Sequence, residues 1–151
     1  MGWLLDTNVI SHMSPWEKKP NPQMVDWIAH HQSELWLSGI TLFEISQGIH
    51  KLVRRGATEK ARTLKFWLDA LLIAYEPRVI VPDIPILVKA GQLAQKAIAA
   101  GVDPGIEDAV VAATGDLRNL LVLTRNIRHI APMGVPCHDP YDKLPPNGYV
   151  Q

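Results

Sequence analysis

Leu4-Leu5-Asp6-Thr7-Asn8 is an apolar run that stops abruptly at a carboxylate followed by two small polar residues. A buried strand of this kind delivers its acid to the rim of a sheet, where open α/β proteins carry out their chemistry. Working outward, short apolar runs with little polar alternation recur at 3–5, 35–37, 79–81 and 120–123, with a weaker one at 135–138. Strands covered on both faces have this character. Between them, residues 22–31, 42–54, 58–75, 84–100 and 107–117 carry apolar side chains at helical spacing. The alternation predicts an α/β fold, with a four- to five-stranded parallel sheet and helices on both sides.

Composition narrows the choices. A chain of 151 residues that is 47% hydrophobic supports one ordinary core, hence one domain. Its 15 basic and 15 acidic residues balance, so any affinity for nucleic acid has to come from local clustering rather than net charge. Cys137 stands alone, which excludes an internal disulfide and a thiolate-rich metal site and suits a reducing cytoplasm. No basic region precedes the first apolar run and Asp6 interrupts it, so neither a signal peptide nor a membrane anchor is expected. Residues 1–139 read as the folded domain, and the proline-rich stretch 140–151 as an extended or mobile tail.

Three acids fall at equivalent places in this scheme. Asp6 ends the first strand, Glu44 lies near the start of the helix after the second, and Asp108 opens the helix before the fourth. They converge if that last helix begins at the edge where the strands end. Clustered carboxylates repel one another unless a proton or a cation neutralises them, and an all-oxygen donor set favours Mg²⁺ or Mn²⁺. Each acid also has a plain structural reading: Asp6 as a helix cap, Glu44 as an exposed residue on an amphipathic helix, Asp108 as a first-turn acid facing the helix dipole. Asp83 reads as a helix cap, and Asp103 and Glu107 as neighbours of the site that could supplement it, with loop or capping roles as the preferred reading.

Four segments in order, Leu4-Leu5-Asp6-Thr7-Asn8-Val9-Ile10-Ser11, Ile40-Thr41-Leu42-Phe43-Glu44-Ile45-Ser46-Gln47-Gly48-Ile49, Asp108-Ala109-Val110-Val111-Ala112-Ala113-Thr114 and Leu123-Thr124-Arg125-Asn126-Ile127-Arg128, resemble the PIN-domain family. Within it they are most similar to VapC-type toxins of the FitB-like branch. The resemblance implies a three-layer α/β/α fold and a metal-dependent endoribonuclease whose acids correspond to Asp6, Glu44 and Asp108. It also implies a homodimer and a partner antitoxin that blocks the site and binds DNA. At the fourth position, where the family carries Asp or Asn, this chain has Asn126. Three residues on, where an Asp frequently follows, it has His129.

On this reading Asp6 and Asp108 are the expected metal ligands, Glu44 orients a water or acts as base, and Asn126 completes the catalytic set with support from Asn8 and Thr124. Lys51 and Arg55 share a helical face with Glu44 and, with Arg125 and Arg128, are expected to grip RNA phosphates. The alternative for Lys51, Arg54 and Arg55 is a solvated helix face. Trp16, beside Lys18 and Lys19 on a proline-rich loop, has the chemistry to stack on a base. The rival reading from another class is a catalytically idle scaffold that binds nucleic acid or protein.

Overall fold

A computed structural model describes residues 2–146. Five strands, β1 (Trp3–Leu5), β2 (Leu35–Ser38), β3 (Val79–Ile80), β4 (Leu121–Leu123) and β5 (Cys137–His138), pair in parallel in the order β3-β2-β1-β4-β5. The chain winds from the centre to one side, then returns to wind to the other, so the direction reverses between β1 and β4. That reversal opens a crevice at the carboxyl ends of the two strands. Leu5 lies opposite both Leu37 and Leu123, which brings Asp6, Ser38 and Thr124 side by side just beyond it.

The strands look uniformly apolar, yet their side chains alternate between two cores as a pleated backbone requires. Trp3, Leu5, Leu35, Leu37, Leu121 and Leu123 face one cluster, completed by α2 (Pro22–His31), α3 (Gly39–Arg54) and α4 (Thr58–Tyr75). Leu4 and Val122 face the other, with α5 (Ile84–Ala99) and α6 (Gly105–Arg118). The result is the three-layer α/β/α architecture expected, with all five anticipated strands present. Short helices α1 (Thr7–Ile10) and α7 (Ile127–Ile130) follow β1 and β4.

α6 fulfils the condition on which convergence of the acids depends. Its last turn feeds β4 through Asn119, in the left-handed conformation at φ 56°, and Leu120, so the helix runs back against the strand. Its first turn, with Glu107 and Asp108, therefore reaches the edge where β4 ends. α6 packs hard against the sheet: a Cβ on Gly115 would lie 2.6 Å from Val122 Cγ2.

Two expectations need adjusting. α3 begins at Gly39 rather than Leu42, because the Ser38 hydroxyl accepts from the Ile40 amide at 3.3 Å and starts the helix earlier. The segment from Pro140, expected to be extended or mobile, is packed on the body as far as Pro145. Pro140 and Pro145 are buried, Tyr141 and Leu144 lie against the first core, and Tyr141 Oη donates to the Val9 carbonyl at 3.3 Å. Residues 147–151 of that expectation lie outside the described residues. Among those described, no helix is long and apolar enough to cross a membrane.

Candidate active site

Asp6 follows β1 directly and is only 4% exposed. Its Oδ1 accepts from the Thr7 amide at 2.7 Å, capping α1, while Oδ2 accepts from Thr124 Oγ1 at 2.8 Å and Asn8 Nδ2 at 3.1 Å. Capping and site roles thus coexist in one carboxylate. Burial pushes its pKa up, Thr124, Thr7 and Asn8 oppose that through their hydrogen bonds, and the nearby charge of Asp108 adds to the rise.

Glu44 lies in the second turn of α3, half-buried. Thr7 Oγ1 donates to its Oε1 at 2.6 Å. Because that hydroxyl has a single proton, Thr41 Oγ1, 3.2 Å away, donates in turn to Thr7. Burial raises the pKa of Glu44, the Thr7 hydrogen bond opposes, and the charges of Asp6, Glu107 and Asp108 raise it further.

Asp108, in the first turn of α6, is held through Oδ2 by Asn126 Nδ2 at 3.1 Å and His129 Nδ1 at 2.8 Å. The two nitrogens are 2.8 Å apart. An Nδ1–H aimed at the carboxylate cannot also accept from the amide, so both donors converge on one oxygen. Burial raises the pKa of Asp108, the hydrogen bond and charge of His129 and the hydrogen bond of Asn126 oppose that, and the nearby charge of Glu107 adds to the rise. Asn126 thus presents its amide nitrogen to the acid, and its backbone amide donates to Thr124 Oγ1 at 2.9 Å.

The acids Asp6, Glu44 and Asp108, with Asn8, Thr124 and Asn126, are therefore brought to one edge of the sheet, each within the electrostatic reach of the others. Among the described residues, no three His, Cys, Asp or Glu side chains form a ready-made metal cage. What they form is a wider anionic mouth in which buried carboxylates raise one another's proton affinity. That donor set fits a hard cation that keeps several of its waters and takes one or two carboxylates, as Mg²⁺ does.

The basic residues divide. Lys51 lines a cavity of about 660 Å³ with Glu44, Gln47, Gly48, His50 and Arg54. Arg55 is outside it: α3 ends at Arg54, and Arg55 is the exposed residue after the last turn. Arg125 reaches sideways, its Nη1 2.6 Å from His12 Nε2 and its guanidinium 5.0 Å from the Tyr141 ring centre. Arg128 is exposed on α7. Asp83 caps α5 by accepting from Ile86 N, and Asp103 Oδ1 accepts from Gly105 N, so both serve the local roles expected. Glu107 contributes charge to the site instead.

Residues that the sequence reading left unassigned are Thr7, Thr41 and His129. Thr7 was visible as the neighbour of Asp6; the pairing of His129 with Asp108 was not, since 21 residues separate them.

Residues 3–132 match the family model described as PIN domain. The chain belongs to the PIN-domain family. This PIN domain is 33% identical to the plasmid stability protein StbB of Pseudomonas syringae pv. tomato, over 92% of its own length and 98% of that protein. It is 30% identical to toxin FitB of Neisseria gonorrhoeae, over 82% and 86% of the two chains. It is 28% identical to the VapC ribonuclease Y4jK of Sinorhizobium fredii, over 92% and 97%. The crystal structure of FitAcB from Neisseria gonorrhoeae is similar to this PIN domain with a TM-score of 0.78 at 28% identity, covering 91% of this chain and 97% of that one.

Proposed function

We propose that this PIN domain is a divalent-metal-dependent endoribonuclease and the toxin of a toxin–antitoxin pair. The observation that carries the reading is the convergence of Asp6, Glu44 and Asp108 from three separate elements, each carboxyl held above its ordinary pKa by burial and by its acidic neighbours. Structural carboxylates are not normally gathered where they repel one another; sites that bind a cation and a phosphodiester require it. Similarity to a toxin and to a VapC ribonuclease supports the substrate class and the antitoxin partner.

Asp6 and Asp108 are the residues that would hold Mg²⁺ or Mn²⁺. The chemistry supplied by such an ion is Lewis acidity, acidifying a water and offsetting charge on the scissile phosphate. Thr124 and Asn8 keep Asp6 aimed outward, and Asn126 and His129 fix Asp108 through one oxygen. Glu44, steadied at Oε1 by Thr7, accepts a proton from the attacking water at its other oxygen. Lys51 and Arg54 bind backbone phosphates leading away from the acids. Direct attack by water leaves a 5′-phosphate and a 3′-hydroxyl.

A homodimer is part of the same proposal, supported by a run of exposed apolar side chains, Val81, Ile84, Leu87, Val88 and Ile106, at the start of α5 and of α6. The expected location is the cytoplasm. The test is cleavage of single-stranded RNA with Mg²⁺ or Mn²⁺, with end-group mapping of the products. Asp6→Asn is expected to abolish cleavage without loss of fold. Undiminished cleavage by that variant in excess EDTA would reject the mechanism.

A further inference from the structure

We propose that a second cavity, beside the acids, seats one unpaired base of the substrate and so sets which nucleotide lies next to the cut; this deepens the ribonuclease reading and rests on it. The cavity measures about 400 Å³ and shares Thr7 and Glu44 with the site. It is lined by the indoles of Trp16 and Trp67 and by the apolar side chains of Ile45, Leu52 and Leu64. Trp16 is 44% exposed, with the Lys60 ammonium 5.4 Å from its ring centre. An exposed indole at the mouth of an apolar cavity is a stacking platform of the kind that single-stranded nucleic acids use.

Charge decides what enters which cavity. Glu17 and Glu44 line the aromatic cavity with Lys60 as their one cationic neighbour, a balance that disfavours a phosphate, whereas Ser11 and Ser14 offer hydroxyls that suit the edge of a neutral base. The adjoining cavity, which shares Glu44 and Gly48, carries Lys51 and Arg54 and suits the backbone. The two meet at Glu44, so a strand crossing the acids can lay its phosphates along one and turn a base into the other.

The platform is also held in place. Arg125 Nη1 donates to His12 Nε2, which leaves the proton of His12 on Nδ1, 2.7 Å from Glu17 Oε2; Glu17 Oε1 accepts from the Lys19 amide at 2.9 Å. The Trp16 loop is thus tied to the end of β4 before any ligand arrives, which lowers the ordering cost of binding.

The experiment uses the full chain carrying Asp6→Asn and short single-stranded oligoribonucleotides with 2-aminopurine at successive positions, and measures affinity and fluorescence. The expected result is quenching at one position, with affinity reduced roughly ten-fold or more by Trp16→Ala and retained by Trp16→Phe. In the otherwise native protein, Trp16→Ala is expected to relax nucleotide preference at one position flanking the cut. If native protein cleaves RNA and Trp16→Ala matches it in affinity and cut-site choice, the base seat is overturned and the nuclease reading survives. If native protein cleaves no RNA, the nuclease reading fails, and absence of quenching in the binding experiment overturns the seat as well. If Trp16→Ala weakens only retention of a protein partner, the cavity is a protein groove and the proposal is overturned.

Discussion

Thr124 Oγ1 donates to Asp6 Oδ2 at 2.8 Å although 118 residues separate them, and it does so from a position with no solvent exposure. The same oxygen accepts from Asn8 Nδ2 and from the Asn126 amide. One hydroxyl therefore ties the ends of the two central strands to each other and to the turn that carries Asn126.

Thr124→Val keeps the shape and removes this hub. It strands the Asn126 amide and loosens Asp6, so urea unfolding is expected to give a loss of about 1–3 kcal/mol, with RNA cleavage slowed roughly ten-fold. Thr124→Ser, which keeps the hydroxyl, is expected to behave as the parent in both measurements. A Val variant as active as the parent would remove Thr124 from the supporting set.

The metal-free protein is expected to lose stability as pH rises from the acid side toward neutrality. Asp6 and Asp108 start from an ordinary value of 3.8 and Glu44 from 4.5, and all are raised in the folded state. Between the ordinary and the raised values the folded protein holds protons that the unfolded chain has released, so ΔG of unfolding falls with rising pH. Glu17, kept below 4.5 chiefly by the Lys19 amide, acts in the opposite sense only at lower pH. Thermal melts in EDTA across this range check the sign, and saturating Mg²⁺ or Mn²⁺ is expected to recover the stability lost at neutral pH.

His129→Asp replaces a donor to Asp108 with another anion. Divalent-ion affinity measured calorimetrically near neutral pH is expected to rise roughly ten-fold, about 1.4 kcal/mol, while the metal-free protein melts lower. Unchanged affinity would place residue 129 outside the electrostatic reach of the ion.

Among the basic residues, Lys51→Ala and Arg54→Ala are each expected to weaken RNA binding and reduce its salt dependence by roughly one counterion. Arg55→Ala is expected to do less, because only Lys51 and Arg54 line the cavity beside Glu44. Binding titrations at several salt concentrations separate the three.

Gly115→Ala gains helix propensity but drives a Cβ to 2.6 Å from Val122 Cγ2 and 3.2 Å from the Leu120 carbonyl. Overpacking is expected to dominate, costing about 1–3 kcal/mol in urea unfolding.

The architecture was readable because the strands are continuous apolar runs and their neighbours carry helical periodicity. Leu4-Leu5-Asp6 also located the edge that matters. Segment ends were less legible: Ser38 advanced the start of α3 by three residues, and the end of that helix left Arg54, not Arg55, lining the cavity beside Lys51. Local spacing reveals residues on one element, whereas the link from Thr7 to Glu44 spans 37 positions and exists only once the sheet has formed. Proline content hid the packing of Tyr141 and Leu144, since composition reports backbone preference and not what a single aromatic ring can reach.

The docking of Tyr141 makes the segment after the last strand part of the folded body. Its hydroxyl meets the Val9 carbonyl in the first helix and its ring lies beside the Arg125 guanidinium just past the fourth strand. The segment after the last strand is therefore a strap that joins the helix after β1 to the turn after β4, the two segments that follow the strands meeting at the acidic edge. Truncation at His138 would leave Asp6, Glu44 and Asp108 in place and remove the buckle that keeps their supporting backbone aligned.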